Sequence, residues 1–134
     1  MNDSLSKEWM KKAWHNLSTA KLLFDVHHYT DIIAVELHYA IEKILKSYPA
    51  YKNRKIPKTH DLIELYRINR AILEFDENEI EILIIATEYH IRESYPMYER
   101  NLPSRDEIKE VLDFAEALFG ETLKRLDIER EDIE

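Results

Sequence analysis

The chain has 134 residues, a length typical of one domain that buries roughly two-thirds of its unfolded surface. It contains no cysteine, which excludes disulfides and thiolate metal sites. A net charge of −8 and a pI near 5.3 exclude a broadly basic surface of the kind that coats nucleic acids. One glycine, four prolines and many Ile, Leu, Glu and Lys residues are typical of a mostly helical protein.

The sequence has no segment that predicts export or a membrane span. The opening stretch MNDSLSKEWMKKAW lacks the apolar core of a signal peptide, and no apolar run approaches the roughly 18 residues that cross a bilayer. We therefore expect a cytoplasmic protein. The absence of Gln and Cys, with many charged residues, is a compositional sign of a thermophilic source.

Apolar residues recur at steps of three and four along most of the chain, which predicts amphipathic helices that pack on one another. The predicted helices cover residues 3 to 26, 30 to 47, 60 to 69, 77 to 93 and 104 to 126. The fourth is apolar nearly all round in its first half, which predicts burial on more than one side. We expect an all-α single domain over residues 1–134: an antiparallel, up-and-down bundle of four long helices and one short helix. The acidic tail, about 127–134, is expected to be frayed.

A basic loop separates the second and third predicted helices. Pro49 and Pro57 lack a backbone N–H, which predicts that no helix runs through this segment. Four cations fall within seven positions of it: Lys52, Arg54, Lys55 and Lys58. Such a loop, leading into a helix N-terminus, favours an anion because free N–H groups and the helix dipole both attract negative charge. A solvated connection and a partner-docking segment are the other interpretations.

Residues 58–62, at the end of the loop, predict the start of the third helix, which Thr59 or Asp61 caps. Capping of the third helix is therefore an alternative role for Thr59, His60 and Asp61.

Two His–Glu pairs raise the question of a metal site in the bundle. His38 and Glu42 are four residues apart on one helix, and His90 and Glu93 are three apart on another. A di-metal bundle normally has Glu-x-x-His pairs, which this sequence lacks. Packing and ion pairing are the favoured interpretation, and no metal or cofactor is predicted.

Three short segments resemble a known family. Residues 39–46, YAIEKILK, resemble the A-x-E-K-x-L-K signature in the second helix of HEPN domains. Residues 58–62, KTHDL, resemble the K-T-H-D-L of that family. Residues 89–96, YHIRESYP, resemble its Y-Y-x-x-x-R-Y-P motif, with Ser94 in place of the usual Arg. The segments occur in family order, and the resemblance covers essentially the whole chain.

The resemblance implies a helical bundle with a proposed role in nucleotide binding. Such domains are commonly homodimers and are often produced alongside a minimal nucleotidyltransferase, so both a second copy and such a protein are expected partners. The many apolar residues on the first and fourth helices also favour a dimer. The candidate contacts for a nucleotide or RNA phosphate are Lys52, Arg54, Lys55, Lys58, Thr59, His60, Tyr89, Arg92 and Tyr95.

Some HEPN branches are metal-independent ribonucleases with an R-x4-6-H motif. Arg54 and His60 match that spacing, with five residues between them, although they precede the position that those ribonucleases use. Arg54 would stabilise a phosphorane and His60 would move a proton. Three functions therefore stay open: a binding module, the ribonuclease toxin of a toxin–antitoxin pair, and a purely structural interaction domain.

Overall fold

Five α-helices form the part of the chain that the computed structural model describes, residues 2–94 and 102–134, with only the backbone for 92–94. The predicted all-α helical bundle is confirmed. None of the helices in these two ranges is both long and apolar enough to cross a bilayer. The helices are α1 (Asp3–Asp25), α2 (Thr30–Tyr51), α3 (Leu62–Ile68), α4 (Glu77–Ser94) and α5 (Arg105–Arg125), and a 3-10 turn follows at Arg130–Asp132.

Helix α2 lies at the centre and contacts the other four helices. Buried apolar residues run along most of it, from Ile33 to Ala50. Helix α1 packs along it most extensively, and its buried residues recur at steps of three, four and three, as an amphipathic helix requires. These α1 residues are Met10, Ala13, Leu17 and Ala20. Side chains on several faces of α2 are therefore packed against the neighbouring helices.

The prediction that Pro49 ends the second helix is wrong, because Pro49 lies inside the last turns of α2 and the helix continues to Tyr51. A proline within a helix leaves the carbonyl four residues earlier without its usual N–H donor. That carbonyl belongs to Leu45, and the side-chain Nδ2 of Asn69 donates to it at 2.9 Å. Asn69 is buried, at 3% exposure, just after α3. A distant amide therefore supplies the hydrogen bond that the proline removes.

Three of the described helices end on a non-glycine residue in the left-handed conformation. His27, Asn53 and Asp127 have φ near 58°, 59° and 54°, and follow α1, α2 and α5. After each one, the next N–H donates to a carbonyl five residues earlier, as Arg54 N does to the Pro49 oxygen at 2.9 Å. This motif turns the chain sharply at Asn53 and fixes where the basic loop begins.

Helix α4 differs from its prediction on one face. Leu83 and Ala86 are fully buried, but Ile84 and Ile91 stay 46% and 42% exposed. The first half of α4 is thus buried on one side only in the single chain, despite its nearly continuous apolar sequence.

The acidic tail also differs from the expected frayed helix. Ile128 and Ile133 are buried at 6% and 7% exposure, and the guanidinium of Arg130 lies 5.5 Å from the ring centroid of Phe119. Two isoleucines thus anchor residues that are otherwise strongly charged.

Removing the Asn69 amide should destabilise the fold through the Leu45 carbonyl. We expect Asn69→Ala to lower the free energy of unfolding by about 1–3 kcal/mol, since a buried acceptor loses its partner. Urea unfolding, with the exposed Asn78→Ala as a matched control, measures this. In a Pro49→Ala background the new N–H can donate to Leu45 instead, so Asn69→Ala should cost less there. An equal cost in both backgrounds would contradict the compensation.

Candidate functional site

Three cations of the basic loop meet around one cavity. Lys52, Arg54 and Lys55 line a space of about 250 Å³, and Pro49, Pro57, Ile68 and Asn69 complete its wall. We call this space the loop cavity. Since Asn69 also anchors α3 to α2, the wall behind the three cations belongs to the rigid bundle. Three of the four cations that lie close together in the sequence are therefore also close together in space.

Two other predicted contacts, Lys58 and Thr59, do not line the loop cavity. Lys58 is exposed, and the Thr59 hydroxyl donates to a Glu64 carboxylate oxygen at 3.1 Å while accepting from the N–H of Asp61 at 3.1 Å. Thr59 thus acts in the local turn before α3.

The N–H groups at the start of α3, all of them within the described residues, are already bonded inside the chain. Asp61 is the predicted cap, and its Oδ1 accepts from Ile63 N at 3.0 Å and from Glu64 N at 3.4 Å. The N–H of Leu62 donates to the Thr87 hydroxyl on α4 at 3.2 Å. These bonds occupy the donors that the sequence reasoning assigned to a phosphate.

His60 contacts the bundle instead, at a buried carboxylate on α2. Its Nδ1 lies 2.8 Å from Oε1 of Glu42, and His38 Nε2 lies 3.2 Å from the same oxygen. Lys46 donates to the other oxygen, Oε2, at 3.1 Å. Glu42 is 5% exposed and His38 is fully buried, whereas the His60 side chain is 54% exposed. Side chains from α2 and the loop thus share one carboxylate.

A third imidazole, from His90 on α4, packs against this group. Its ring stacks on that of His60 with centroids 4.2 Å apart and planes 20° apart, and it lies 5.0 Å from the ring of His38. We call His38, Glu42, Lys46, His60 and His90 together the histidine cluster. It joins α2, the basic loop and α4 in one place.

Glu42 carries the negative charge of the histidine cluster. Burial raises the pKa of this carboxyl, but hydrogen bonds from His38, His60 and Lys46 outweigh burial and hold the pKa at about 2. Burial lowers the pKa of His90, and the neighbouring His38 and His60 lower it further. At neutral pH Glu42 is therefore ionised and His90 uncharged.

The phosphate-contact candidates near the end of α4 are Tyr89, Arg92 and Tyr95, and the structure describes the side chain of Tyr89 alone among them. Tyr89 is 2% exposed and its hydroxyl donates to Glu107 Oε2 at 2.5 Å, so its ring is packed inside the bundle and is closed to a stacking base. The Arg92 side chain and Tyr95 lie outside the described residues, as does the Glu93 side chain of the second His–Glu pair.

Arg54 and His60, the candidate catalytic pair, belong to different groups. Arg54 lines the loop cavity, and His60 joins the histidine cluster. Sequence reasoning considered the His38–Glu42 and His90–Glu93 pairs together but did not connect them with His60. The available signal was that YAIEKILK contains Glu42 and Lys46 and KTHDL contains His60.

Comparisons with known proteins agree with the fold. The family model described as the HEPN domain matches residues 6–126. The crystal structure of TT1696 from Thermus thermophilus is similar, with a TM-score of 0.77 and 22% identity over 93% of this chain and 99% of that chain. ST0689, an archaeal HEPN homologue, has a TM-score of 0.69 and 13% identity over 90% of this chain and 97% of that one. At these identities the two structures show the fold alone. No curated protein matches the sequence.

The Glu42 carboxylate should make stability depend on acidity. Its folded-state pKa lies below the ordinary value of 4.5, so its contribution is complete above pH 4.5 and is lost as the pH falls toward about 2. We expect wild type to exceed Glu42→Gln in unfolding free energy by the order of 3 kcal/mol at neutral pH, and this difference to vanish near pH 2. Urea unfolding at several pH values measures it. The exposed Glu81→Gln is the control, and a pH-independent difference would contradict the argument.

Proposed function

The chain belongs to the HEPN domain family, and from that premise we propose that it is a nucleotide- or phosphate-binding helical module. In this proposal it acts as a homodimer and as the partner of a minimal nucleotidyltransferase. The observation that carries the phosphate site is the meeting of Lys52, Arg54 and Lys55 around the loop cavity.

The charge distribution supports an anion at this cavity. The protein has a net charge of −8, so three cations around one space stand out against its average surface. Most ion pairs in the described part of the chain lie on helix surfaces, and none of them uses these three side chains. Cations without a carboxylate partner keep their donors available for phosphate oxygens, and Arg54 can offer two parallel N–H groups.

The apolar residues on the surface support the homodimer. Ile84 and Ile91 lie one heptad apart on α4 and stay about half exposed, and Leu22 and Val26 near the end of α1 are each 62% exposed. Burying one such side chain is worth roughly 1.5–3 kcal/mol. A second copy of the chain packed on this face would bury Ile84 and Ile91, as the apolar sequence of α4 predicts.

Metal-independent RNA cleavage is the second candidate function, and the histidine cluster favours it. The imidazole of His60 is exposed, is held by a carboxylate, and stacks on the uncharged imidazole of His90. One imidazole that gives a proton beside another that takes one is an arrangement suited to phosphodiester cleavage. In this alternative the acid–base pair is His60 and His90, whereas Arg54 lines the loop cavity.

Phosphate binding should require the cavity cations. We expect ATP or GTP to bind in isothermal titration, and Arg54→Ala and Lys55→Ala each to weaken binding roughly 10- to 100-fold, since each removes a charge-assisted contact worth about 1.5–3 kcal/mol. The exposed Lys12→Ala on α1 controls for overall charge. Lys58→Ala, outside the cavity, should cost less. Binding that is equal in Arg54→Ala and Lys12→Ala would contradict the site.

The same preparations, incubated with labelled RNA without metal, separate the two functions. A binding module leaves the RNA intact. Cleavage that disappears in His60→Ala while the variant keeps its fold would replace the binding module with the ribonuclease.

The dimer should depend on the α4 face. Light scattering is expected to give twice the 16.1 kDa chain mass for wild type. Ile84→Glu combined with Ile91→Glu should give the single mass, because two buried carboxylates would lie in the contact. Ile68→Glu on α3 is the control, since Ile68 is similarly exposed, at 47%. A wild-type monomer at high concentration would refute the dimer, and a monomer only in Leu22→Glu would move the contact to α1.

A further inference from the structure

We propose that His38, Glu42 and His60 bind a divalent transition-metal ion of the zinc type. This site uses different residues from the loop cavity and does not rest on phosphate binding. The three side chains come from α2 and the basic loop, and each directs one ligand atom to a common point. These atoms are His38 Nε2, Glu42 Oε1 and His60 Nδ1.

The spacing of the three atoms is close to what a small metal ion needs. They all lie within 4.8 Å of one another, and the carboxylate oxygen is 3.2 Å from one imidazole nitrogen and 2.8 Å from the other. Ligands about 2.0–2.1 Å from a tetrahedral zinc ion lie roughly 3.3 Å apart. Small side-chain rotations, which an exposed residue such as His60 can make, would open that spacing.

The surroundings of His38 provide an independent reason for a cation. Its Nδ1 lies 2.8 Å from the backbone oxygen of Ala86, which can only accept, so Nδ1 carries a proton. In the uncharged ring, Nε2 is then an acceptor, and it faces the ionised Glu42 oxygen. His38 is fully buried, and a cation between Nε2 and Oε1 of Glu42 would satisfy both of these acceptors. An N–H donated to a backbone carbonyl is also how metal-binding histidines are usually oriented.

The rest of the histidine cluster leaves Oε1 of Glu42 to the two imidazoles. Lys46 bonds to Oε2 of Glu42, so Oε1 alone faces the two imidazoles. The exposed edge of His60 gives access from solvent and leaves a coordination position for water.

The ligand set selects the class of metal. Two imidazoles and one carboxylate suit zinc and neighbouring transition metals, whereas magnesium and calcium prefer oxygen ligands throughout. Imidazole nitrogens and carboxylate oxygens bind a metal ion only in their deprotonated forms, so the ion competes with protons and its affinity falls in acid.

The test is zinc titration of chelator-treated, full-length protein in competition with a chromophoric chelator. We expect one zinc ion per chain. His60→Ala should bind zinc at least 10-fold more weakly, because loss of an outer-shell group already lowers metal affinity 10- to 100-fold and His60 would be a direct ligand. Cobalt, bound in the same place, should give visible absorption that His60→Ala lacks. The exposed His15→Ala on α1 is the matched control and should bind as wild type does.

Stability gives a second readout. Zinc should raise the midpoint of thermal unfolding of wild type and His15→Ala, but not of His60→Ala. Circular dichroism verifies that His60→Ala is folded, which is expected because its side chain is largely exposed. Absence of zinc uptake by wild type, or equal uptake by His60→Ala and wild type, would overturn the proposal.

Discussion

The carboxylate of Glu42 is the group around which the candidate sites are arranged. An ionised carboxylate removed from water is costly unless charged or polar donors surround it. Here His38 and Lys46 come from the same helix, but His60 comes from the loop. The hydrogen bond between His60 and the buried Glu42 carboxylate therefore holds the end of the basic loop against the bundle.

The other end of the loop is held by a different device. Asn53 turns the chain in the left-handed conformation, and Asn69 ties α3 to the carbonyl left free by Pro49. A loop attached at both ends loses little further conformational entropy when a ligand binds, which favours affinity. The loop cavity and the histidine cluster thus depend on the same short segment, although they use different side chains.

Local patterns in the sequence predict the helices well because periodicity, caps and breaks act within a few residues. The fifth predicted helix, for example, begins at Ser104, whose side-chain oxygen accepts from Glu107 N at 3.1 Å as a helix cap. Pro49 was misinterpreted because the missing donor is replaced by Asn69, twenty residues away, which no local rule detects. The contacts of His60 with Glu42 and His90 were missed for the same reason, since they join the loop to two helices distant in the sequence. The exposed Ile84 shows a further limit of sequence analysis. An apolar sequence predicts that a residue is buried, but it does not say whether the same chain or a second chain covers that residue.

Through His60, metal binding at the histidine cluster would be coupled to phosphate binding at the loop cavity. A metal ion at the histidine cluster would restrain His60 and hence the exit of the basic loop, whereas protonation of Glu42 would release both. If the restrained loop holds Lys52, Arg54 and Lys55 in the arrangement that a phosphate prefers, the ion raises phosphate affinity, and phosphate must raise the affinity for the ion by the same factor. The size of that factor is limited by how far the loop is already ordered without the ion. Since hydrogen bonds to the Asp61 carboxylate and the turn at Asn53 fix both ends in the single chain, the coupling should be small compared with either binding free energy.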